Sequence, residues 1–153
     1  MSAIVPAPLV WEITRNYSAL TVKRTSGGGA QFSRDPLNLT NKHSRAHEGY
    51  VNDKAIGVQP GLKGGVSLMT KKANKSNKPA SQIQLSTFGP NTSTRKTYRG
   101  IVNSTAKRGY RTDLRGAAVA RASAIRKSQK PVKEDRPAKL RGNAAKKAKA
   151  SSE

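Results

Sequence analysis

Thirty lysines and arginines stand against only eight aspartates and glutamates in this 153-residue chain, so its formal net charge is +22. Like charge at this density repels itself in any compact state unless a polyanion neutralises it. The hydrophobic core also has to be small, because only 26 residues are Leu, Ile, Val or Phe. Together the two features predict a modest folded domain that an anionic partner completes.

The positive charge increases along the chain. Residues 1–50 carry a net +3, residues 51–100 carry +8 and residues 101–153 carry +11. We therefore expect the carboxy-terminal half to make most of the contacts with the polyanion.

Neither secretion nor membrane insertion is favoured by the sequence. Cysteine is absent, and no run approaches the ~20 apolar residues that span a bilayer. Pro6, Pro8 and Glu12 interrupt the apolar residues near the amino terminus, which is not typical of a secretion signal.

Five short runs with alternating apolar residues predict β-strands. These runs contain Leu20 with Val22, Phe32, Ile56 with Val58, Val66 with Leu68, and Ile83 with Leu85. Turn signals rich in Gly, Pro and Asn separate the runs, and no long helical crossover lies between them. We expect one small antiparallel sheet of about five strands with one buried face.

Three helices are predicted around this sheet. A short amino-terminal helix covers Leu9 to Asn16, a second runs from about 91–93 to Gly109, and a third runs from Thr112 or Asp113 to about Gln129. The predicted fold class is α+β, with an RNA-binding domain over residues 1–131 and a disordered basic tail over residues 132–153.

The third helix, within RGAAVARASAIRKSQKPV, has an unusually small apolar face. Leu114, Ala118, Ala122 and Ile125 share one narrow stripe. Alanine permits close backbone approach, so this helix can pack tightly on its neighbour while its arginines reach outward. The alternative is that alanine only supplies helix propensity and the charges form a solvated face.

No catalytic, cofactor or metal motif is recognised, and we expect the protein not to be an enzyme. His43 and His47 are too few for a zinc site in a chain without cysteine. The adjacent acids Glu134 and Asp135 lie in the tail, and the glycine-rich pieces SGGG and GLKGGVS match no nucleotide-binding fingerprint.

Lysines crowd one loop and the tail, whereas arginines crowd the helices, where their planar groups can bind phosphates bidentately. We predict fifteen RNA-contacting residues: Lys71, Lys72, Lys75, Lys78, Arg95, Lys96, Arg99, Lys107, Arg108, Arg111, Arg115, Arg121, Arg126, Lys127 and Lys130. Aromatic residues are few, so we expect recognition of shape and phosphate backbone rather than of bases. Trp11 is interpreted as core, while Tyr98 and Tyr110 either stack on an unpaired base or pack between the helices.

Several elements resemble the ribosomal protein family 28 of the eukaryotic large subunit. They are YRTDLRGAAVARASAIRKSQKPV, DPLNL, IGVQP, and the early Trp followed by TRNYSALTVKR, and together they span roughly Leu9 to Val132. The resemblance carries over most directly to Arg111, Asp113, Leu114, Arg115, Ala122, Ser123, Ala124, Ile125, Lys130 and Pro131. Thr112 stands where family members often have Pro, so it is expected to cap or enter the helix through its hydroxyl.

This resemblance implies a structural constituent of the cytoplasmic ribosome that binds large-subunit ribosomal RNA. Neighbouring ribosomal proteins are the other implied partners, and assembly is expected in the nucleus or nucleolus. It implies no cofactor, no metal, no membrane partner and no small-molecule substrate.

A DNA-binding protein of the chromatin type is the alternative function. It would need a helical or winged domain that reads a DNA groove, and five strands before the helices argue against that. A cationic protein on a membrane surface is less favoured, because no helix carries a bulky apolar face.

Overall fold

The computed structural model describes residues 5–26, 28–75, 78–135 and 139–151. The chain forms an α+β fold, which confirms the predicted class. Its elements, in order, are α1 (Ala7–Thr14), β1 (Thr21–Lys23), β2 (Gln31–Ser33), β3 (Ile56–Pro60), β4 (Val66–Lys71), α2 (Pro79–Gln82), β5 (Ile83–Phe88), α3 (Thr94–Ser104), α4 (Arg115–Ser128) and α5 (Asn143–Ala150).

All five predicted strands form, but they build two antiparallel sheets instead of one. β1 pairs with β2, and β3, β4 and β5 form a separate meander in that order. Between β2 and β3 the chain folds around the buried carboxylate of Asp35, which accepts hydrogen bonds from the backbone N–H groups of Leu37, Gly49 and Tyr50. These bonds hold the connection as an ordered loop, so β2 does not join β3 in one sheet.

The expectation that Ile83 and Leu85 lie on the buried face is wrong. Leu68 on β4 is only 1% exposed and pairs with Ser86, so residues 84, 86 and 88 share the core side of β5. Ile83 and Leu85 lie on the other side and are 44% and 60% exposed. A shift of one residue in the strand pairing exchanges the buried and exposed faces of a strand. In β5 the register is the one that pairs Ile83 with Lys71 of β4.

The core lies between the inner face of the meander and the two helices α3 and α4. Its buried residues are Leu39, Ile56, Val58, Val66, Leu68, Ile101, Leu114, Ala118 and Ala122. Ala118 and Ala122 are completely buried, and Ile125 is partly buried against the same cluster. The predicted small-faced stripe therefore packs α4 closely on the sheet.

α4 begins and ends near the predicted positions, whereas α3 begins as predicted but ends at Ser104, five residues before the predicted Gly109. Ser93 caps α3, with its hydroxyl accepting a hydrogen bond from the Lys96 N–H, and Gly109 ends the following turn with φ +69°. Thr112 does not cap α4 as expected. A 3₁₀ turn, Thr112–Leu114, leads into the helix, and neither Arg111 nor Leu114 forms a side-chain cap.

Within the tail α5 occupies Asn143–Ala150, and the expectation that the tail is disordered stays a prediction. Alanine and lysine both have high helix propensity, and α5 buries none of its residues. Among the described residues, no helix is long and apolar enough to cross a membrane.

Candidate nucleic-acid interface

The fifteen predicted cationic residues divide into two groups by what their side-chain nitrogens contact. Four of them, the inward group, are half-buried and donate hydrogen bonds to backbone carbonyls: Lys71, Arg111, Arg121 and Arg126. The other eleven form the outward group, in which Lys72 is half-buried and the rest are exposed: Lys72, Lys75, Lys78, Arg95, Lys96, Arg99, Lys107, Arg108, Arg115, Lys127 and Lys130. The side chains of the outward group form no salt bridge within the described residues.

Lys71 closes a loop over the outer face of the meander. Its Nζ donates to the carbonyls of Gly49, Tyr50 and Asn52 at 3.0, 3.2 and 2.9 Å. Burial lowers the pKa of Lys71, and the carboxylates of Asp53 and Asp35 partly oppose that effect. All three ammonium hydrogens are therefore used within the protein.

Arg121 joins α4 to β3 and to the loop before it. Its Nε donates to the Val58 carbonyl at 2.9 Å, and one terminal nitrogen donates to the Leu39 carbonyl at 3.2 Å and to Asn41 Oδ1 at 2.7 Å. Burial lowers the pKa of Arg121. A residue predicted to contact RNA is thus engaged inside the fold.

Arg126 makes a similar link at the other end of α4. Its two terminal nitrogens donate to the carbonyls of Pro90 and Thr92, both at 2.9 Å. These bonds fix the chain that enters α3 against the last turns of α4.

Arg111 lies between α3 and α4 in the sequence, and its backbone φ is +47°. Its side chain contacts three residues. It donates to the carbonyls of Lys54 and Ala46, at 3.0 and 2.8 Å, and forms a salt bridge with Asp113 at 2.8 Å. The hydrogen bonds from Arg111 lower the pKa of the Asp113 carboxyl. The side chain therefore anchors the turn before α4 to the loop that precedes β3.

Six of the outward group line one of two grooves. The first, which we call the α3–α4 groove, has a volume of about 910 Å³. It is lined by Arg95, Tyr98, Arg99, Val102, Asn103, Arg115, Gly116, Val119, Ala120 and Ser123. Its guanidinium groups come from both helices, so the fold brings together arginines that are up to 20 positions apart in the sequence.

The second groove, which we call the lysine groove, lies beside the end of β4 and has a volume of about 440 Å³. It is lined by Lys54, Thr70, Lys71, Lys72, Ala73, Asn74, Lys75, Gln84, Ser104, Arg108 and Tyr110. Several cations converge there, and the described part of the chain places no carboxylate in the lining. Such a surface suits a phosphate backbone.

The family of the chain follows from two comparisons with known proteins. The model of the ribosomal L28e protein family matches residues 9–128. The chain belongs to the ribosomal L28e protein family. A curated relative, the large ribosomal subunit protein eL28 of Schizosaccharomyces pombe, is 43% identical over 126 residues, which are 82% of this chain and 93% of the relative.

The L28e match and the observed fold have closely similar limits. The match ends at Ser128, which is also the last residue of α4, and it begins within α1. The match therefore includes both grooves and the whole inward group, and it excludes the tail that contains α5.

Lys54, which was not among the residues predicted from the sequence, lines the lysine groove. Lys54 is exposed in the loop before β3, 17 positions from Lys71, and only the pairing of β3 with β4 brings the two together. Tyr110, predicted either to stack on a base or to pack between the helices, packs instead against the core. Its hydroxyl donates to the Lys71 carbonyl at 2.6 Å and accepts from the Ala55 N–H, and burial raises its pKa.

The two histidines serve separate local contacts. His43 lies against Trp11, with ring centroids 5.0 Å apart, and the Nδ1 atom of His47 is 2.8 Å from the hydroxyl of Ser44. Within the described residues no group of three or more His, Cys, Asp or Glu side chains is arranged to hold a metal ion.

Proposed function

We propose that this chain is a structural constituent of the large subunit of the cytoplasmic ribosome and binds its ribosomal RNA through the outward group. Membership of the L28e family and the name of the Schizosaccharomyces pombe relative support the assignment to that subunit. Neighbouring ribosomal proteins are further partners in this proposal, and assembly begins in the nucleus or nucleolus. The role is structural, and no catalytic residue is assigned.

One observation carries the RNA-binding part of the proposal. Across the described residues two salt bridges form, between Glu12 and Arg15 and between Arg111 and Asp113, and neither involves the outward group. Among the described residues, no carboxylate forms a salt bridge with an outward cation. RNA phosphates provide the missing negative charge, and the lysine groove offers a channel in which several phosphates can lie.

The strength of binding should depend steeply on salt. If about ten of the outward cations meet phosphates, the logarithm of the association constant falls with the logarithm of salt with a slope of about −7 to −9. Contacts of this kind position the protein by shape and backbone, and they discriminate little between sequences.

Sedimentation of a cell extract through a sucrose gradient tests the ribosomal assignment. We expect the chain to migrate with large subunits and polysomes, and to remain there after a high-salt wash. Recovery at the top of the gradient, or with chromatin, would contradict the proposal. A pull-down with RNA and duplex DNA at matched salt then separates ribosomal RNA binding from the DNA-binding alternative.

A further inference from the structure

The α3–α4 groove differs from the lysine groove in having an apolar and aromatic wall. Tyr98 and Val102 of α3 face Val119 and Ala120 of α4 across it. Arg95, Arg99 and Arg115 line the same groove and are all exposed. The side chains of these three arginines form no hydrogen bond or ion pair with the described part of the chain, unlike those of the inward group.

The groove is open because the residues of α4 that line it are small. Gly116 and Ala120 are exposed, and a Cβ added at Gly116 would meet no atom within 4 Å. On the opposite side of the helix Ala118 and Ala122 are fully buried and belong to the core. The buried alanines let α4 pack closely on the core, and the small residues on its exposed side leave the groove open.

We propose that the α3–α4 groove binds one or more unpaired RNA bases, with the attached phosphates on Arg95, Arg99 and Arg115. The inference rests on the proposed RNA-binding function and adds a mode of recognition that differs from backbone contacts alone. A base inserts beside the ring of Tyr98, and the guanidinium groups either stack on it or pair with its phosphates.

Three features of the groove favour a base over an acidic peptide. Its volume falls within the usual range for sites that enclose small organic groups. Tyr98 is partly buried against the hydrophobic core, which fixes its ring as a rigid stacking surface. Asn103 and Ser123 also line the groove, and an amide with both donor and acceptor atoms suits the edge of a base. An acidic peptide would use the arginines but has no group that requires the aromatic wall.

The test compares two full-length variants with the same charge as the original chain. Ala120→Trp fills the groove, while Ala124→Trp places the same side chain at an exposed position of α4 that does not line the groove. Each variant is titrated with an RNA hairpin carrying a single-stranded bulge and with the same hairpin fully paired. A fluorescent 2-aminopurine in the bulge reports stacking directly.

We expect Ala120→Trp to weaken binding to the bulged hairpin about 10-fold, the loss of one stacked base, and to leave binding to the paired hairpin and the salt slope unchanged. Ala124→Trp should bind both hairpins like the original chain. Equal affinity of Ala120→Trp and the original chain for the bulged hairpin would overturn the inference. Equal weakening of binding to both hairpins would also overturn the inference. So would a result in which an oligo-glutamate peptide competes for the groove and the bulged hairpin does not.

Two further comparisons keep the outcomes separate. If the original chain binds the paired hairpin but Ala120→Trp changes nothing, only the groove inference fails. If the original chain binds neither hairpin, the proposed function fails with it. Gly116→Leu fills the same groove from the first turn of α4 and replaces Ala120→Trp if circular dichroism shows that variant to be unfolded.

Discussion

Replacement of Arg121 by methionine tests whether this arginine holds the fold or binds RNA. β3 is an edge strand, because it pairs with β4 alone among the described strands. The Arg121 guanidinium donates to the Val58 carbonyl and so takes the place of the N–H donor that a second neighbouring strand would provide. The same group donates to the carbonyl of Leu39 and to the side chain of Asn41. Arg121→Met removes all three bonds and leaves two carbonyls of nearly or fully buried residues without that donor.

The expected cost is moderate but clearly measurable. A hydrogen bond from a charged group contributes about 1.5–3 kcal/mol, and an unpaired buried acceptor adds a similar penalty. Methionine retains the packing of the aliphatic stem, and removal of the desolvation cost of the half-buried guanidinium offsets part of the loss. We expect a loss of about 3 kcal/mol in the free energy of unfolding, which corresponds to roughly 10 °C in Tm for a domain of this size.

Urea unfolding followed by circular dichroism measures the change, and Arg115→Met on the same helix is the matched control. Arg115 is exposed and its side chain makes no hydrogen bond or ion pair within the described structure, so its loss should change stability by less than about 0.5 kcal/mol. It should instead make the salt slope of RNA binding shallower by about 0.7–0.9, whereas Arg121→Met should leave the slope unchanged. Full stability together with a shallower slope in Arg121→Met would refute the division into inward and outward groups.

Three further predictions address the sheet register, the buried acids and the tail. Leu68→Ala should cost about 3 kcal/mol in urea unfolding and Leu85→Lys less than about 0.5 kcal/mol, and the reverse order would mean that the β4–β5 register is wrong. Burial is the main cause that raises the pKa of Glu48, and the charge of Asp35 raises it further. The folded state therefore favours the protonated acid, and the protein loses stability as pH rises from the ordinary glutamate pKa to the raised one. Glu48→Gln should therefore raise the urea midpoint at pH 7 but hardly at pH 4, and an equal effect at both pH values would contradict this. Deletion of residues 132–153, which carry a net +4, should leave the Tm unchanged and weaken RNA binding, because α5 buries nothing; a large fall in Tm would show that the tail packs on the domain.

Periodicity in the sequence was sufficient to find β3, β4, α3 and α4, because each contributes regularly spaced residues to the core. The stripe of Leu114, Ala118 and Ala122 predicted correctly which side of α4 is buried. The same reasoning failed for β5, where apolar residues occur on both faces. Phe88 takes the core position, and a Cβ at Gly100 of α3 would lie 2.5 Å from its ring. Which face is buried was decided by that tertiary contact.

The role of each cation was not visible in the sequence, since it depends on which carbonyls the loops present. Arg121 and Arg115 are both arginines on one helix, yet only Arg121 lies beside free carbonyls of β3 and the preceding loop. Lys71 and Lys72 are adjacent, but alternation along the strand turns Lys71 toward the carbonyls of residues 49–52. Composition predicted a polyanionic partner, and the fold alone selects the side chains that are able to reach it.

Chemical footprinting of lysines tests the division between inward and outward cations most directly. The free protein and purified large subunits are treated with an amine-acylating reagent, and modified residues are located by mass spectrometry. We expect Lys72, Lys75, Lys78, Lys96, Lys107, Lys127 and Lys130 to react in the free protein and to be protected in the subunit. Lys71 should react weakly in both, because its Nζ is held by three carbonyls. Outward lysines that react equally in the free protein and in the subunit would contradict the account.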